Sequence, residues 1–258
     1  MNIFAHKENN RAMLVVLEGL DGAGKSTQVK KLRAYLEKIC PELEYIHFPR
    51  YDAPVYGDLI SRFLRGDFGS NEAVHPQLVA LLFAEDRHGA APAMRKALSE
   101  GGTVLLDRYV YSNIAYQCAK LPDPDERERL RNWIIDTEYG DFALPKPDLN
   151  IFLDVPISFI ESKLEESRTG SDRDYLHGSQ DIHEADIEFQ RQVQAIYRRQ
   201  ATLDPDLIRI DCSDWDCSCS VHWDGFGSYR SMWKGTYSRS TPGPSSFSSP
   251  WLPSGSAC

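Results

Sequence analysis

Residues 19–27, Gly19-Leu20-Asp21-Gly22-Ala23-Gly24-Lys25-Ser26-Thr27, carry the clearest chemistry in the chain. Their spacing fits G-x-x-x-x-G-K-S/T, the phosphate-binding loop. Glycines in such a loop let backbone N–H groups point inward at phosphate oxygens, where larger side chains would block the approach. Lys25 then reaches the β- and γ-phosphates of a nucleotide, and the Ser26 hydroxyl is placed to ligate Mg2+. The motif needs a strand before it and a helix after it. Here the apolar run MLVVLE at 13–18 precedes it, and KSTQVKKLRAYLEKI, with helical period, follows.

Four further stretches could act on whatever receives the phosphate. HFPRYD, 47–52, ends a predicted strand and puts Arg50 where the carboxyl end of a strand meets a ligand. In LLFAEDRHG, Phe83 and Arg87 stand four apart on one helix face, able to stack on a planar base and hydrogen-bond its edge. A half-buried Phe beside a surface Arg fits the same spacing. Asp107-Arg108-Tyr109 closes another strand, followed by Ser112, Asn113, Tyr116 and Gln117. The acid there can hold Mg2+, directly or through water, and the arginine can clamp phosphate. SRTGSDRDYLHG, 167–178, carries Arg168, Arg173 and Tyr175 between two helical stretches. It reads as a mobile lid bringing arginines over the transferring group, though a solvated charged loop has a similar composition.

These groups need a scaffold, and the chain alternates short apolar runs with longer stretches of helical period. That pattern predicts a parallel sheet covered by helices. Strands are expected at 13–18, 44–48, 103–107, 149–154 and 206–210, and helices at about 24–39, 56–65, 75–99, 124–138, 156–167 and 183–201. Pro92 should kink or divide the third helix. After Asp211 the character changes. From Cys212 to Cys258 the only branched aliphatic residues are Val221 and Leu252, and four of the six cysteines and four of the five tryptophans lie there. Cys212, Cys217, Cys219 and His222 lack the paired spacing of a zinc site. The expected organisation is one domain over 1–211, with a lid at about 167–182, and an atypical Ser/Gly/Trp-rich tail over 212–258 that is disordered or aberrant.

At 258 residues the chain can bury a substantial core. Its net charge of -9 argues against a nucleic-acid backbone or an anionic membrane as partner. No run of 18 apolar residues occurs, so the expectation is a cytoplasmic protein. Absence of an N-K-x-D segment argues against a GTPase.

Together EGLDGAGKSTQ, HFPR, LLFAEDR, DRYVYSNIAYQ, LPKPDLNIFLDV and DIHE closely resemble the thymidylate kinases, in order from about residue 12 to Asp214. The resemblance implies an α/β P-loop kinase: a three-layer α/β/α fold with a five-stranded parallel sheet and a mobile lid. It implies phosphoryl transfer from MgATP to dTMP, giving dTDP and ADP for dTTP synthesis, and often a homodimer. Residue by residue, the loop from Gly19 to Thr27 would hold ATP, with Lys25 catalytic and Ser26 and Asp107 serving Mg2+. Asp21 would face the acceptor's sugar, and Arg50 and Arg108 would grip its phosphate. Phe83 would stack on thymine and Arg87 bond its edge. Ser112, Tyr116, Gln117 and Tyr175 would complete the dTMP site, with Tyr116 beside C2′. Some members carry an arginine directly after the loop's acidic residue; here that position is Gly22, which moves the catalytic charge to Arg168 or Arg173. Members normally continue after a D-C-S-like segment into a last helix, and CSDWDCSCSVHWDG departs from that. Two other readings were open: a deoxynucleoside kinase, which would need a base near a 5′-hydroxyl where HFPRYD offers an arginine, and a variant impaired by its C-terminus.

Overall fold

The computed structural model describes residues 12–40, 42–165, 181–184 and 186–213. The proposed lid residues Arg168, Arg173 and Tyr175, and the tail from 214 onward, lie outside them. Five strands form one all-parallel sheet: β1 (Met13–Gly19), β2 (Leu43–His47), β3 (Thr103–Asp107), β4 (Leu149–Asp154) and β5 (Leu207–Asp211), in the order β2-β3-β1-β4-β5. β3 and β4 are buried along their whole length and β1 nearly so. Both faces of these strands must therefore be covered, which is why they read as continuous apolar runs rather than alternating ones.

Seven α-helices occur among the described residues: α1 (Lys25–Ile39), α2 (Tyr56–Leu64), α3 (Pro76–Ser99), α4 (Val110–Cys118), α5 (Pro124–Ile135), α6 (Ile157–Glu165) and α7 (Ile187–Leu203). A π-helical turn, Asp136–Asp141, extends α5. The starts follow local chemistry. Asp123 caps α5 by accepting from Asp125 N, with Pro124 in the first turn, and Asp186 caps α7 by accepting from Glu188 N and Phe189 N. Each described strand lies within a residue or two of its expected place, and the α/β P-loop fold is the observed one.

Three expectations need correction. α4 was absent from the sequence reading: all nine of its residues are buried, Ser112, Asn113 and Gln117 included, so no polar face gives it a helical period. Pro92 does not divide α3, which runs unbroken from Pro76 to Ser99. It sits on the exposed side, as does His88 four residues earlier, where water can meet the carbonyl that proline leaves without a donor. The last helix begins at Ile187 rather than 183, because Asp181–Glu184 form a turn against α2, Ile182 N donating to Leu64 O at 3.0 Å.

The parallel register aligns the carboxyl ends of β1, β2 and β3. Leu17 and His47 both stand opposite Asp107. Ligands of open parallel sheets bind beyond these ends, where the strand order reverses.

Candidate active site

Beyond β1 the chain enters the loop. Gly22 and Gly24 have φ of 78° and 74°, left-handed conformations that glycine adopts without the penalty a side chain would incur. Gly19 lies close to β4 and to the lysine: a Cβ there would stand 3.3 Å from Leu153 O and 3.4 Å from Lys25 Cδ. Lys25 is buried, and its Nζ donates to Leu20 O at 2.7 Å. Burial, reinforced by the nearby Arg108 guanidinium, lowers its pKa from the usual 10.5 to about 8. Ser26 and Thr27 are exposed at the start of α1.

Beyond β3, Arg108 takes φ of 68°, a conformation rare for a side chain of its size and costing about 1–3 kcal/mol. The surroundings impose it. Arg108 N donates to Leu17 O at 3.0 Å. Tyr109 provides no side-chain cap for α4, and Glu18 supplies one from β1 instead. Its Oε1 accepts from Tyr109 N at 3.0 Å and Ser112 N at 3.3 Å, while Oε2 accepts from Ser112 Oγ at 2.5 Å and Tyr197 OH at 2.9 Å. A carboxylate suits a helix N-terminus. Burial nonetheless raises the Glu18 pKa.

So held, Arg108 reaches across to the loop. Its Nη2 donates to Asp21 Oδ1 at 2.5 Å and to Tyr116 OH at 3.2 Å, and its Nη1 to Ser112 Oγ at 3.2 Å. Tyr116 OH in turn donates to Asp21 Oδ2 at 2.6 Å, which also receives Gln190 Nε2 from α7 at 3.4 Å. Burial by itself would raise the Asp21 carboxyl, but Arg108 and then Lys25 hold it well below the usual carboxylate range. Asp21, Arg108, Ser112 and Tyr116 thus form one cluster joining the loop to α4.

The cluster opens onto a cleft that Phe83, Arg87, Asn113 and Gln117 also line, together with Phe48 and Pro49. Asn113 Oδ1 and Gln117 Oε1 are buried there without hydrogen-bond partners. Arg87, 2% exposed, is paired with Glu138 from the π-helical turn through Nε–Oε2 at 2.5 Å and Nη2–Oε1 at 2.7 Å. His183, from the turn before α7, also lines the cleft, and burial, with Lys120 adding to it, keeps its pKa well below 6.5.

Arg50 stands apart from the cleft. Its Nε donates to Asp86 Oδ1 at 2.9 Å and its Nη2 to Asp86 O at 2.6 Å. It lines a larger hollow of about 520 Å³ between β2 and α3, walled from the cleft by Pro49 and Tyr51. Size alone would favour that hollow, but no residue of the loop or of the Arg108 cluster enters it. The site is assigned to the cleft.

For Mg2+ the relevant groups are Ser26 and Asp107. One carboxylate oxygen of Asp107, Oδ2, faces His47 Nδ1 at 3.2 Å; the other, Oδ1, is buried without a partner. Burial opposes its charge, yet His47 and Lys25 keep the carboxyl below its ordinary pKa and ionised. A hydroxyl and an unpaired carboxylate oxygen fit the partial protein shell Mg2+ takes when phosphates and water supply the rest. Among the described residues no cluster of three His, Cys, Asp or Glu forms a metal cage.

Glu18, Asp86, Glu138, His183, Gln190 and Tyr197 were missed by the sequence reading. Two left a signal there. Glu18 is a charge inside an apolar strand run, and Glu138 follows Leu130 and Ile134 at four-residue spacing on a buried helical stripe.

The chain is similar to known proteins over most of its length. The family model for thymidylate kinase matches residues 17–215. The thymidylate kinase of Mycobacterium tuberculosis (strain H37Rv) is 35% identical over 189 residues, 73% of this chain and 86% of that protein. The human thymidylate kinase is 35% identical over 152 residues, 57% of this chain and 63% of that protein. Among solved structures, a Candida albicans thymidylate kinase described as having broad substrate specificity superposes with a TM-score of 0.61 at 27% identity, covering 87% of this chain and 90% of that one. The chain belongs to the thymidylate kinase family.

Proposed function

We propose that this thymidylate kinase family member transfers the γ-phosphoryl group of ATP to dTMP, forming dTDP and ADP, with the donor on residues 19–27 and the acceptor in the cleft between α3 and α4. The observation that carries this placement is Arg108. Its guanidinium is fixed within reach of both the loop and the cleft, where an acceptor phosphate would face the γ-phosphate.

The loop's N–H groups and Lys25 bind the donor phosphates. Two cations, Lys25 and Arg108, stand close enough to feel each other's charge, with Asp21 and Asp107 beside them, so donor and acceptor phosphates meet positive charge from both sides. Arg108 holds the acceptor phosphate, and Arg50, which lines the hollow beyond Pro49 and Tyr51, joins it by turning toward the cleft the part of its fork that Asp86 leaves unused. Asp21 and Tyr116 meet the sugar, Tyr116 crowding C2′. Thymine offers a donor at N3–H and an acceptor at O4. The partnerless oxygens of Asn113 and Gln117 suit the first, Arg87 the second, and Phe83 stacks on the ring. Ser112 is engaged with Glu18 and Arg108 and shapes the cleft from behind.

The transition state is loose and anionic, so alignment and positive charge are the main needs. Lys25 and Arg108 supply part of that charge; Arg168 or Arg173 completes it from the lid at about 167–182, with Tyr175 nearby. In the same reading Ser26 and Asp107 would hold Mg2+, which would supply positive charge to the donor phosphates. Residues 1–211 make up the kinase unit in this reading, with Cys212 still packed in its core, the remaining sequence to 258 is assigned to a tail, and the location is cytoplasmic. Leu78 and Leu81, exposed on α3, support a homodimer contact there. No helix of the described residues is long and apolar enough to cross a membrane.

The test compares acceptors that differ only by the phosphate. ADP should form with dTMP and not with thymidine; equal turnover of thymidine would put the acceptor phosphate's role, and Arg108's with it, in error.

A further inference from the structure

Glu138 lies outside the cleft, yet two polar groups of the cleft's base end, Arg87 and Asn113, are tied to it. Its carboxylate is fully buried. Oε2 accepts from Arg87 Nε at 2.5 Å, and Oε1 accepts from both Arg87 Nη2 at 2.7 Å and Asn113 Nδ2 at 2.9 Å. A bidentate pair fixes the plane of a guanidinium as well as its position. Arg87 itself lines the cleft, and its Nη1 is bonded to no described residue. Asn113 is fixed in the same way. Its Nδ2 is consumed by Glu138 and by Ala80 O at 2.9 Å, and its Oδ1 is left buried without a partner. One carboxylate therefore decides which donor of Arg87 and which acceptor of Asn113 remain for a ligand.

The π-helical turn makes this possible. Leu130 and Ile134 face inward from α5, and Glu138 continues that stripe one turn further on. Backbone bonds then close the turn: Phe142 N donates to Thr137 O at 2.8 Å and Leu144 N to Glu138 O at 2.9 Å. Such turns are rare and recur at functional sites.

Charge gives the pair a second consequence. Arg108 at one end of the cleft shares its charge with Asp21 and still faces the loop, whereas Arg87 at the other end is matched one-to-one by Glu138. A nucleotide that could turn its phosphate toward either arginine is thereby offered one cationic end and one neutral end.

We propose that Glu138 is a positioning residue for the acceptor's base, setting the hydrogen-bonding edge of the cleft through Arg87 and Asn113 and cancelling the charge of Arg87 so that the acceptor phosphate goes to Arg108. The inference rests on the acceptor site proposed above. In Glu138→Gln the amide offers one acceptor and opposes Arg87 with a donor. The expected result is a loss of about 10- to 100-fold in kcat/KM for dTMP, mainly through KM, with KM for ATP unchanged. A purely structural role would lower the melting temperature or the active fraction and leave KM for dTMP alone.

Arg87→Ala and the Glu138→Gln/Arg87→Ala double variant complete the experiment. With Arg87 gone Glu138 acts only through Asn113, so Glu138→Gln should cost the Arg87→Ala background clearly less in kcat/KM for dTMP than it costs the parent. If Arg87→Ala leaves KM for dTMP unchanged, the acceptor site itself is misplaced. If Arg87→Ala raises it and Glu138→Gln does not, or if the two effects add in full, the role given to Glu138 is overturned while the site stands. Should Glu138→Gln fail to fold, Glu138→Asp keeps the charge and shortens its reach; an unchanged KM for dTMP in that variant overturns the proposal equally.

Discussion

Replacing Lys25 by Met should abolish phosphoryl transfer and, at the same time, stabilise the ligand-free protein. Lys25 is 8% exposed and its pKa falls from 10.5 to about 8, burial being the largest cause and Arg108 the next. That fall corresponds to roughly 3 kcal/mol that folding spends to keep the amine charged at pH 7. Methionine removes that cost but also the bond to Leu20 O, worth about 1 kcal/mol. A net gain of about 2 kcal/mol remains. The sign with pH follows from linkage: the folded amine titrates below the unfolded one, so the penalty is full below pH 8 and fades as pH rises through 10.5. Urea unfolding of both proteins without nucleotide at pH 7 and pH 10, beside an ADP-release assay, measures all three quantities. The gain should appear at pH 7, shrink at pH 10, and accompany a fall in turnover of at least about 10³-fold. A variant less stable than the parent at pH 7, or one that keeps its turnover, would refute the reasoning.

Arg108→Ala should cut turnover by at least about 10³-fold and lower stability at pH 7 by about 1–3 kcal/mol, because Asp21, a half-buried carboxylate, is left without its cation. Adding Asp21→Asn should restore most of the stability and none of the activity; the deficit of Arg108→Ala relative to the parent should shrink as pH falls below the ordinary carboxylate range and be gone once pH passes the depressed Asp21 value of the parent. Of Arg168→Ala and Arg173→Ala, one should lower kcat by about 10³-fold with KM for dTMP unchanged, and if neither does, the catalytic charge does not come from that segment.

The loop was legible because its chemistry is local: the glycines, lysine and serine act from consecutive positions, and the strand and helix flanking it follow from short apolar runs. Arg108 stood out by its place at a strand end, and the family resemblance pointed to Phe83, Arg87, Tyr116 and Gln117; the structure gathers all five on one cleft. What the sequence could not give was who holds them. Glu18 caps α4 across 91 residues and Glu138 pins Arg87 across 51, and no periodicity records a pairing so distant. α4 escaped for a related reason, since a helix buried on every side shows no amphipathic stripe. Arg50 shows the same limit: its place at the end of β2 marks it as a candidate phosphate contact, and no periodicity records that Asp86, in the facing helix, engages its Nε and Nη2.

The central claim concerns the acceptor, and the most direct measurement is ADP release by the full chain with MgATP and, in turn, dTMP, UMP, CMP and AMP. A cleft whose base end offers Arg87, Asn113 and Gln117 and whose sugar side carries Tyr116 predicts turnover with dTMP well above the other three. Equal ADP release with all four acceptors would contradict the account.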